Sequence, residues 1–534
     1  MTPLSVSQAR AWRPAALCEL AEGWDALATA LARHAERFSA DVERSRDWWR
    51  GAAADAARAD APRAVSTITA LARALVSAAV AARDGAEQLG PARSDVLAGV
   101  EEARAEGFAV ADDAAVTIAA GPAPLMVLLA GGDDAVAETL LAARAREWER
   151  RIGECLERLG AADADAAADI ADAFADNNPA PAATVPAAVG PGPVAGWPTM
   201  SQDRIAEQIA AMSPQQRDRL IAEFPRQVGN TDGVPWPMRV AANRINIASA
   251  ILTETGADAD SRRRVALYRG LLGEIDDPSG RHGRIERQIL AFDPVRASLV
   301  ELNGDLAAAR SVAVLVPGVN TRIEDSAANT VTARRFVTAT SGDAAVITYL
   351  GGPFPQVRDP LDVVTEAADA RYALDMAPRL VAFSEDVDRV VGDGVPVTVI
   401  GHSYGGSIVG TAETQGLTSD RTLFLAAAGA GVGVDDPGDW HNRNPAVLRF
   451  SMTAPGDFIE AVQGIPGGPH GADPDEMPSV VRLTTGSYDD GGRVAGWPAH
   501  NGMLNRPSDA WRTILAVITG DSSALHRAHV GTAS

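Results

Sequence analysis

Residues 397–410 read VTVIGHSYGGSIVG, an apolar run that stops at Gly401 and continues with a serine placed between glycines. The aliphatic and β-branched residues before Gly401 predict a buried strand, and the residues after the serine predict a helix. Gly401, Ser403 and Gly405 match the pattern G-x-S-x-G, in which a sharp strand-to-helix turn holds a serine hydroxyl above a sheet. The stretch therefore predicts that Ser403 is a nucleophile, with a purely structural glycine-rich turn as the alternative.

Short apolar runs alternate with helical patterns on both sides of this turn, from Gly304 onward. The runs are VAVLVP (312–317), AAVITYL (344–350), VPVTVIGHS (395–403), RTLFLAAAG (421–429), AVLRFSM (446–452) and SVVRLTT (479–485). Continuous apolar strands separated by helices are typical of a parallel sheet that is covered on both faces. The sequence therefore predicts an α/β-hydrolase fold, a mostly parallel sheet covered by helices, preceded by an all-α helical hairpin or bundle domain.

A nucleophilic serine in this fold is followed along the chain by an acid and then by a histidine. His500 follows the last predicted strand in a glycine-rich loop, and Asp457 lies directly past the preceding strand in a Pro-Gly turn. Asp457 would accept the Nδ1 proton of His500 and stabilise the imidazolium. Asp435 and Asp436, one strand earlier, are the alternative acids. The remaining histidines at or after the elbow lie inside it, in loops before the last strand or in the polar tail: His402, His441, His470, His526 and His529.

An oxyanion hole in this fold takes one backbone N–H from the residue after the nucleophile and a second from the loop after the first strand of the predicted sheet. The first donor would be Tyr404. The second loop reads VPGVNTR, where Gly318 permits a close approach, Val319 is the preferred donor and Asn320 is the next choice.

Composition excludes several other functions. The formal net charge of −22 argues against a nucleic-acid partner, because phosphate binding needs clustered basic residues. All 48 basic residues are arginine, so catalysis by a Schiff base, a Ser-Lys dyad and a lysine-dependent phosphate loop are excluded. The two cysteines predict neither a zinc cluster nor a disulfide framework, and no predicted helix places two histidines at metal-ligand spacing with an acid. The glycines at 429–433 have the wrong spacing for a dinucleotide site, so no cofactor is expected.

The first hundred residues carry two long amphipathic helical patterns that meet at Trp49-Arg50-Gly51. A helical hairpin at 15–90 with a tryptophan and a glycine flanking one residue at its turn resembles the WXG-type hairpins handled by type VII secretion systems. That resemblance implies a helical secretion partner for residues 1–175. None of the five tyrosines has an acidic residue four positions later, which is the usual export signal of that group.

These patterns divide the chain into five parts. We predict an Ala-rich helical domain at 1–175, a Pro/Ala/Gly linker at 176–199, a helical segment that packs on or caps the hydrolase at 200–303, the catalytic domain at 304–522 and a polar tail at 523–534. The N-terminus lacks the features of a Sec signal peptide, and no segment is predicted to span a membrane. The expected location is cytoplasmic, or exported by a type VII route.

Five motifs, in this order, resemble an actinobacterial α/β-hydrolase family of unknown function that is often preceded by WXG-like helices. They are VAVLVPGVNTR, TYLGGP, VTVIGHSYGGSIVG, SMTAPGDFIE and PAHNGM. The similarity spans roughly residues 200 to 520 and implies Ser403, Asp457 and His500 as a catalytic triad. Relatives often carry His-Ser-Ser-Tyr around the base, where this chain has His-Asn-Gly-Met.

The sequence thus predicts a serine hydrolase that acts on carboxylic esters or lipids through an acyl-enzyme intermediate. The alternative is a type VII secretion-associated interaction protein whose hydrolase fold is catalytically silent.

Overall fold

The structure is a computed structural model that describes residues 4–119, 134–176, 192–357, 367–392, 394–463 and 468–529. These residues form two compact units. The N-terminal unit comprises the described residues before 186 together with 248–256, and the C-terminal unit comprises the described residues of 186–247 and those from 257 onward.

The N-terminal unit is built mainly from long helices. Its elements are α1 (Val6–Ala11), α2 (Ala15–Arg44), α3 (Ala52–Ala105), β1 (Phe108–Val110), β2 (Val116–Ile118) and α4 (Asp134–Asp176). Helices α2 and α3 pack together through small residues such as Ala21 and Ala79, and an ion pair of 2.5 Å joins Arg83 to Asp25. The predicted hairpin is therefore present, but its second helix extends fifteen residues beyond the predicted limit of 90 and is followed by a two-stranded antiparallel ribbon.

The turn of this hairpin follows from local residue preferences. A short 3₁₀ helix, Ser45–Asp47, ends α2, and Gly51 adopts a φ of +111°, which residues with a side chain rarely reach. Helix α3 is long and apolar enough to cross a membrane, with a mean hydropathy of 1.7 in its most apolar 18-residue window. Half of that window is buried in the structure.

The C-terminal unit alternates strands and helices. Its helices are α5 (Gln202–Ala210), α6 (Pro214–Glu223), α7 (Pro225–Asn230), α8 (Trp236–Thr253), α9 (Ala259–Leu272), α10 (Ala327–Ala339), α11 (Arg371–Val390), α12 (Tyr404–Thr414), α13 (Glu460–Gln463), α14 (Ala499–Asn505), α15 (Asp509–Thr519) and α16 (Ser522–Ala528). Its strands are β3 (Glu274–Asp276), β4 (Arg284–Glu286), β5 (Gln288–Asp293), β6 (Ser298–Asn303), β7 (Ser311–Val316), β8 (Ala344–Leu350), β9 (Val397–His402), β10 (Arg421–Leu425), β11 (Leu448–Met452) and β12 (Val480–Arg482).

Eight of these strands form one sheet in the order β12-β11-β10-β9-β7-β8-β6-β5. Every neighbouring pair is parallel except those that involve β6, which runs antiparallel to both β5 and β8. All six predicted strands are present. Because β9 lies in the interior of the sheet, its carboxyl end is flanked by the ends of β7 and β10, and the loops that follow these strands meet at one edge.

Helices cover both faces of the sheet, as predicted. On one face, α10 and α15 pack over Ala313 and Leu315, with the rings of Phe336 and Trp511 stacked 5.0 Å apart. On the other face, Tyr349 contacts Phe383 of α11, and α12 lies beside α11. This arrangement is the α/β-hydrolase fold.

The predicted boundary at 304 is wrong, because β5 and β6 belong to the central sheet and the segment 200–303 is not wholly helical. Strand β6 carries Glu301 in its centre, with 1% of its surface exposed. The carboxylate is paired with Arg287 at 2.7 Å and with Arg334 at 3.1 Å, and Thr330 donates a hydroxyl to it at 3.0 Å. Burial alone would raise the pKa of Glu301, but the two guanidinium groups outweigh that effect and lower it.

The outer edge of β5 is hydrogen-bonded by side chains instead of by another strand. Asn230 accepts the N–H of Phe292 at 2.9 Å and donates to its carbonyl at 3.2 Å. Arg239 donates to the carbonyl of Leu290 at 2.8 Å, and Asn243 donates to that of Ile289 at 3.1 Å. The backbone groups that an edge strand leaves unpaired are in this way satisfied within the unit.

Two further predicted boundaries also change. Residues at the end of the predicted linker 176–199 form a 3₁₀ helix, Pro193–Thr199, whose Val194 and Trp197 are buried in a hydrophobic cluster. Asp176 ends α4, and residues 177–191 of this linker lie outside the described residues. The predicted tail 523–534 begins with α16, where Leu525 packs against the main core. In both places apolar side chains of a short helix pack into a hydrophobic cluster. Local composition does not reveal this packing.

Candidate active site

Ser403 lies in a sharp turn between β9 and α12. Its backbone has φ 57° and ψ −123°, a strained conformation for a residue with a side chain. The turn is fixed from both sides, since the Ser403 N–H donates to the carbonyl of Leu425 at 3.0 Å and the Ser403 carbonyl accepts from Ala428 at 2.9 Å. A Cβ at Gly405 would lie 2.2 Å from the carbonyl oxygen of Val316, so this position of the turn requires glycine. The predicted serine elbow is present in the structure.

The Ser403 hydroxyl faces the loop that follows β7. A Cβ placed on Gly318 would lie 2.6 Å from Ser403 Cβ and 3.0 Å from its Oγ, so the glycine brings the loop directly against the serine. Within the described residues, no protein group hydrogen-bonds this hydroxyl. The side chain is therefore free to donate its proton to an incoming base or to approach a bound substrate.

Asp457 and His500 form a buried pair. The Nδ1 of His500 lies 2.9 Å from Oδ2 and 3.1 Å from Oδ1 of Asp457, and the side chains are 8% and 0% exposed. Asp457 is held in its turn past β11, because its Oδ1 also accepts the N–H of Ile459 at 3.1 Å. A carboxylate at this position keeps the proton on Nδ1, which leaves the Nε2 lone pair available as a base.

The other candidate acids and histidines lie elsewhere. Asp435 and Asp436 are exposed, and Asp436 accepts the N–H of Gly438 as a cap of a short 3₁₀ helix. Three of the other histidines are also exposed: His441, His526 and His529. His500 itself occupies the first turn of α14, not the loop that its glycine-rich surroundings predict.

His402, which the sequence places inside the elbow, is buried beside His500. Its Nε2 lies 2.9 Å from the backbone carbonyl of His500, and the two rings are 5.0 Å apart. Burial, together with the nearby His500, lowers the pKa of His402 to about 3. The ring is therefore neutral and donates Nε2–H to the carbonyl. The sequence signal for this role is the position of His402 directly before the serine, which places it beside whatever approaches the elbow.

The loop after β7 contains a backbone N–H that bears on the second oxyanion donor. The carbonyl of Gly318 accepts the hydroxyl of Thr321 at 2.8 Å, which fixes the Gly318–Val319 peptide and turns the Val319 N–H in the opposite direction. In the described part of the chain neither this N–H nor that of Tyr404, at the first position of α12, has an acceptor. Asn320 differs, because its N–H donates to the carbonyl of Pro355 at 2.8 Å. The geometry favours Val319 over Asn320 as the second donor.

The ring of His470 forms hydrogen bonds both with α12 and with the segment that precedes α11. The position of His470 in a predicted loop does not indicate this role. The ring lies 3.0 Å from the hydroxyl of Ser407 and 2.8 Å from the carbonyl of Ala367. Tyr404 adds a second link by donating its hydroxyl to the carbonyl of Asp369. Burial lowers the pKa of His470, so its ring is neutral. The ring bridges the Ser407 hydroxyl and the Ala367 carbonyl.

Aromatic side chains lie next to the His500 ring. Phe458 is 4.7 Å from that ring and 4.3 Å from the ring of Trp497, which is 68% exposed. Met452 and Met503 are fully buried in the main core and are not accessible to a ligand. The apolar surface beside the histidine is therefore aromatic and partly open to solvent.

Comparison with known proteins agrees with this fold. A family model described as alpha/beta hydrolase matches residues 293–466, so the chain contains an α/β-hydrolase domain. The match begins at the last residue of β5, eleven residues before the predicted domain boundary at 304, and includes the serine elbow and Asp457.

Two Mycobacterium tuberculosis proteins, from strains CDC 1551 / Oshkosh and ATCC 25618 / H37Rv and both named only as uncharacterized, are each 27% identical to this chain over 267 residues. The alignment covers 41% of this chain and spans only 38% of the length of each relative.

Among solved structures, a Thermus thermophilus protein has a TM-score of 0.25 at 14% identity, covering 43% of this chain and 99% of its own. A hyperthermophilic esterase from the archaeon Pyrobaculum calidifontis has a TM-score of 0.23 at 12% identity. The alignment covers 59% of this chain and 98% of the esterase chain.

Proposed function

We propose that the chain is a serine hydrolase that cleaves carboxylic esters through an acyl-enzyme intermediate, with Ser403 as nucleophile, His500 as base and Asp457 as its orienting acid. The observation that carries the proposal is the buried Asp457–His500 pair, at 2.9 Å between Oδ2 and Nδ1. A buried carboxylate on that nitrogen fixes the tautomer that a general base requires.

Each step of such a reaction has a group in this site. Ser403 Oγ attacks the ester carbonyl while His500 Nε2 takes its proton, and the imidazolium is stabilised by Asp457. The negative charge on the tetrahedral oxygen is stabilised by the N–H groups of Tyr404 and Val319. The imidazolium then protonates the leaving alcohol, and water hydrolyses the acyl-enzyme by the same route.

The aromatic surface supports an ester or lipid substrate that carries an apolar group. Phe458 lies against the His500 ring, Trp497 packs on Phe458, and Trp497 exposes enough surface to gain from contact with an acyl or alkyl chain. An ester series of increasing chain length, assayed with wild type and Trp497→Ala, measures this preference. We expect the variant to lose more kcat/KM on long chains than on acetate.

The direct test is covalent labelling with a fluorophosphonate, followed by intact-mass analysis. We expect one adduct on the wild type, no adduct on Ser403→Ala and strongly slowed labelling on His500→Ala. Ser407→Ala is a matched control, because Ser407 is a buried serine that also contacts a histidine, His470, one turn further along α12. Labelling that persists in Ser403→Ala, or is lost in Ser407→Ala with Ser403 intact, would contradict the proposed nucleophile.

A further inference from the structure

A cavity of about 320 Å³ lies in the C-terminal unit at the carboxyl end of β8. Strands β5, β6 and β8, helix α11 and the segment around residues 230–239 form its walls. None of the candidate catalytic residues lines it. Its volume is at the lower end of the range for sites that bind small organic molecules.

Several hydrogen-bond donors in this cavity have no acceptor among the described residues. Tyr349 is only 3% exposed, yet its hydroxyl has no protein partner there. The hydroxyl of Ser298 likewise has none. Arg379 uses one of its five N–H groups, with Nη1 donating to the carbonyl of Gly351 at 2.9 Å. Ser298 is half-buried and Arg379 is exposed, so these donors are open to an acceptor that enters the cavity.

The acidic groups of the cavity are already paired. Asp232 accepts from Arg239 at 2.8 Å, and that arginine also binds Asp386 at 2.8 Å. Asp293 accepts the N–H groups of Val295 at 3.1 Å and Arg296 at 3.3 Å. Because these carboxylates already have partners, the groups that remain available to a ligand are the donors Tyr349, Ser298 and the guanidinium of Arg379.

The glycines after β8 allow the two main donors to come close to the same turn. A Cβ at Gly351 would lie 2.4 Å from the Tyr349 hydroxyl, and a Cβ at Gly352 would lie 2.8 Å from Arg379 Nη1. Burial raises the pKa of Tyr349, so the phenol keeps its proton at neutral pH and remains a donor. Phenol and guanidinium are thereby held at one wall of the cavity.

We infer that this cavity is a binding site for a small oxyanion, the phosphate group of a free phosphate ion or of a small phosphate monoester, recognised by Tyr349, Ser298 and Arg379. A phosphate oxygen accepts several hydrogen bonds at once, and a guanidinium can bind it through two parallel N–H groups. The site is separate from the proposed ester chemistry and does not depend on it.

The test is isothermal titration calorimetry on the full chain at constant ionic strength, with inorganic phosphate in one arm and glycerol 3-phosphate in the other. We expect saturable binding to one site per chain. Equal affinity in both arms identifies a site for the free ion, and tighter binding of the ester identifies a site for a monoester. Either result supports the inference, whereas no saturable binding in both arms would overturn it.

Variants tie the binding to this cavity. Arg379→Gln and Tyr349→Phe should each weaken binding about tenfold or more, since each removes a hydrogen bond to a charged ligand. Arg310→Gln is the matched control, because Arg310 is an exposed arginine of the same unit that does not line the cavity. Circular dichroism checks that each variant is folded, and equal affinity in all three variants and wild type would place the anion elsewhere and reject the inference.

Discussion

The imidazole of His402 donates a hydrogen bond of 2.9 Å to the backbone carbonyl of His500. The residue directly before the candidate nucleophile thereby holds the residue that carries the candidate base. The bond joins β9 to α14, and the two residues are 98 positions apart in sequence. This bond fixes their separation independently of the Asp457 contact.

Replacing His402 with leucine should slow fluorophosphonate labelling of Ser403 about tenfold, because the His500 backbone loses its restraint and small displacements of catalytic groups are costly. The second-order labelling rate, measured by intact mass over time, gives the result. His441→Leu, which alters an exposed histidine, should label at the wild-type rate. Unchanged labelling in a folded His402→Leu variant would show that the bond has no positioning role.

The same histidine should make stability depend on pH. Its pKa of about 3 lies below the ordinary value of 6.5, so the unfolded chain binds more protons than the folded chain between those values. The unfolding free energy is therefore highest above pH 6.5 and should fall below it by up to about 1.4 kcal/mol per pH unit from this group. Urea unfolding at pH 7.5, 6 and 5 measures how steeply the unfolding free energy changes with pH. This dependence should be shallower for His402→Leu than for the wild type. Equal pH dependence in both proteins would contradict the effect of burial on the His402 pKa.

Replacing Asp457 with asparagine should lower kcat about 1,000-fold or more, because an amide can donate to Nδ1 and so favour the tautomer that has no lone pair on Nε2. The fold should be retained, since the side chains are almost equal in size. Asp436→Asn serves as the control, because Asp436 is the exposed alternative acid. A large loss in Asp436→Asn with normal activity in Asp457→Asn would reassign the acid.

A methyl group at residue 318 should block the site. The Cβ of Gly318→Ala would lie 2.6 Å from Ser403 Cβ, which cannot move without distorting the elbow. We expect labelling at Ser403 to be lost and the unfolding free energy to fall by about 1–3 kcal/mol. Gly270→Ala is the comparison, since nothing lies within 4 Å of a Cβ there and a helical alanine should stabilise by about 0.5–1 kcal/mol. Normal labelling of Gly318→Ala would mean that the loop can retreat from the serine.

Glu301→Gln should destabilise the C-terminal unit by about 3–5 kcal/mol, because it leaves Arg287 and Arg334 without their shared buried carboxylate. Denaturant unfolding followed by fluorescence measures the change. Glu286→Gln removes an acid that is 59% exposed and paired with Arg244, and it should cost at most about 1 kcal/mol. Similar losses of unfolding free energy in Glu301→Gln and Glu286→Gln would argue against a special role of the buried ion pairs of Glu301.

The parallel part of the sheet was predictable because its strands are continuous apolar runs; AAVITYL, for example, coincides with β8 residue for residue. Strand β6, SLVELN, was missed because an acid stands where an apolar residue is expected. Its partners Arg287 and Arg334 lie on other elements, so only the folded chain reveals why Glu301 can be buried there.

The candidate site also has a part that the sequence predicts and a part that it does not. Chain order and positions after strands predict Ser403, Asp457 and His500 as the site residues, and the structure brings Asp457 and His500 together. The hydrogen bonds of His402 and His470 are to backbone carbonyls of distant segments. Since every residue has a carbonyl, no sequence pattern marks such an acceptor in advance.

The side chains on the outer edge of β5 have a consequence for self-association. An open strand edge can recruit a second sheet and so start aggregation. Here the side chains of Asn230, Arg239 and Asn243 already bond this edge, and the register shift between Ile289 and Ala291 interrupts its regular spacing. The opposite edge strand, β12, is only three residues long. Neither end of the sheet offers a template on which another chain could grow a strand.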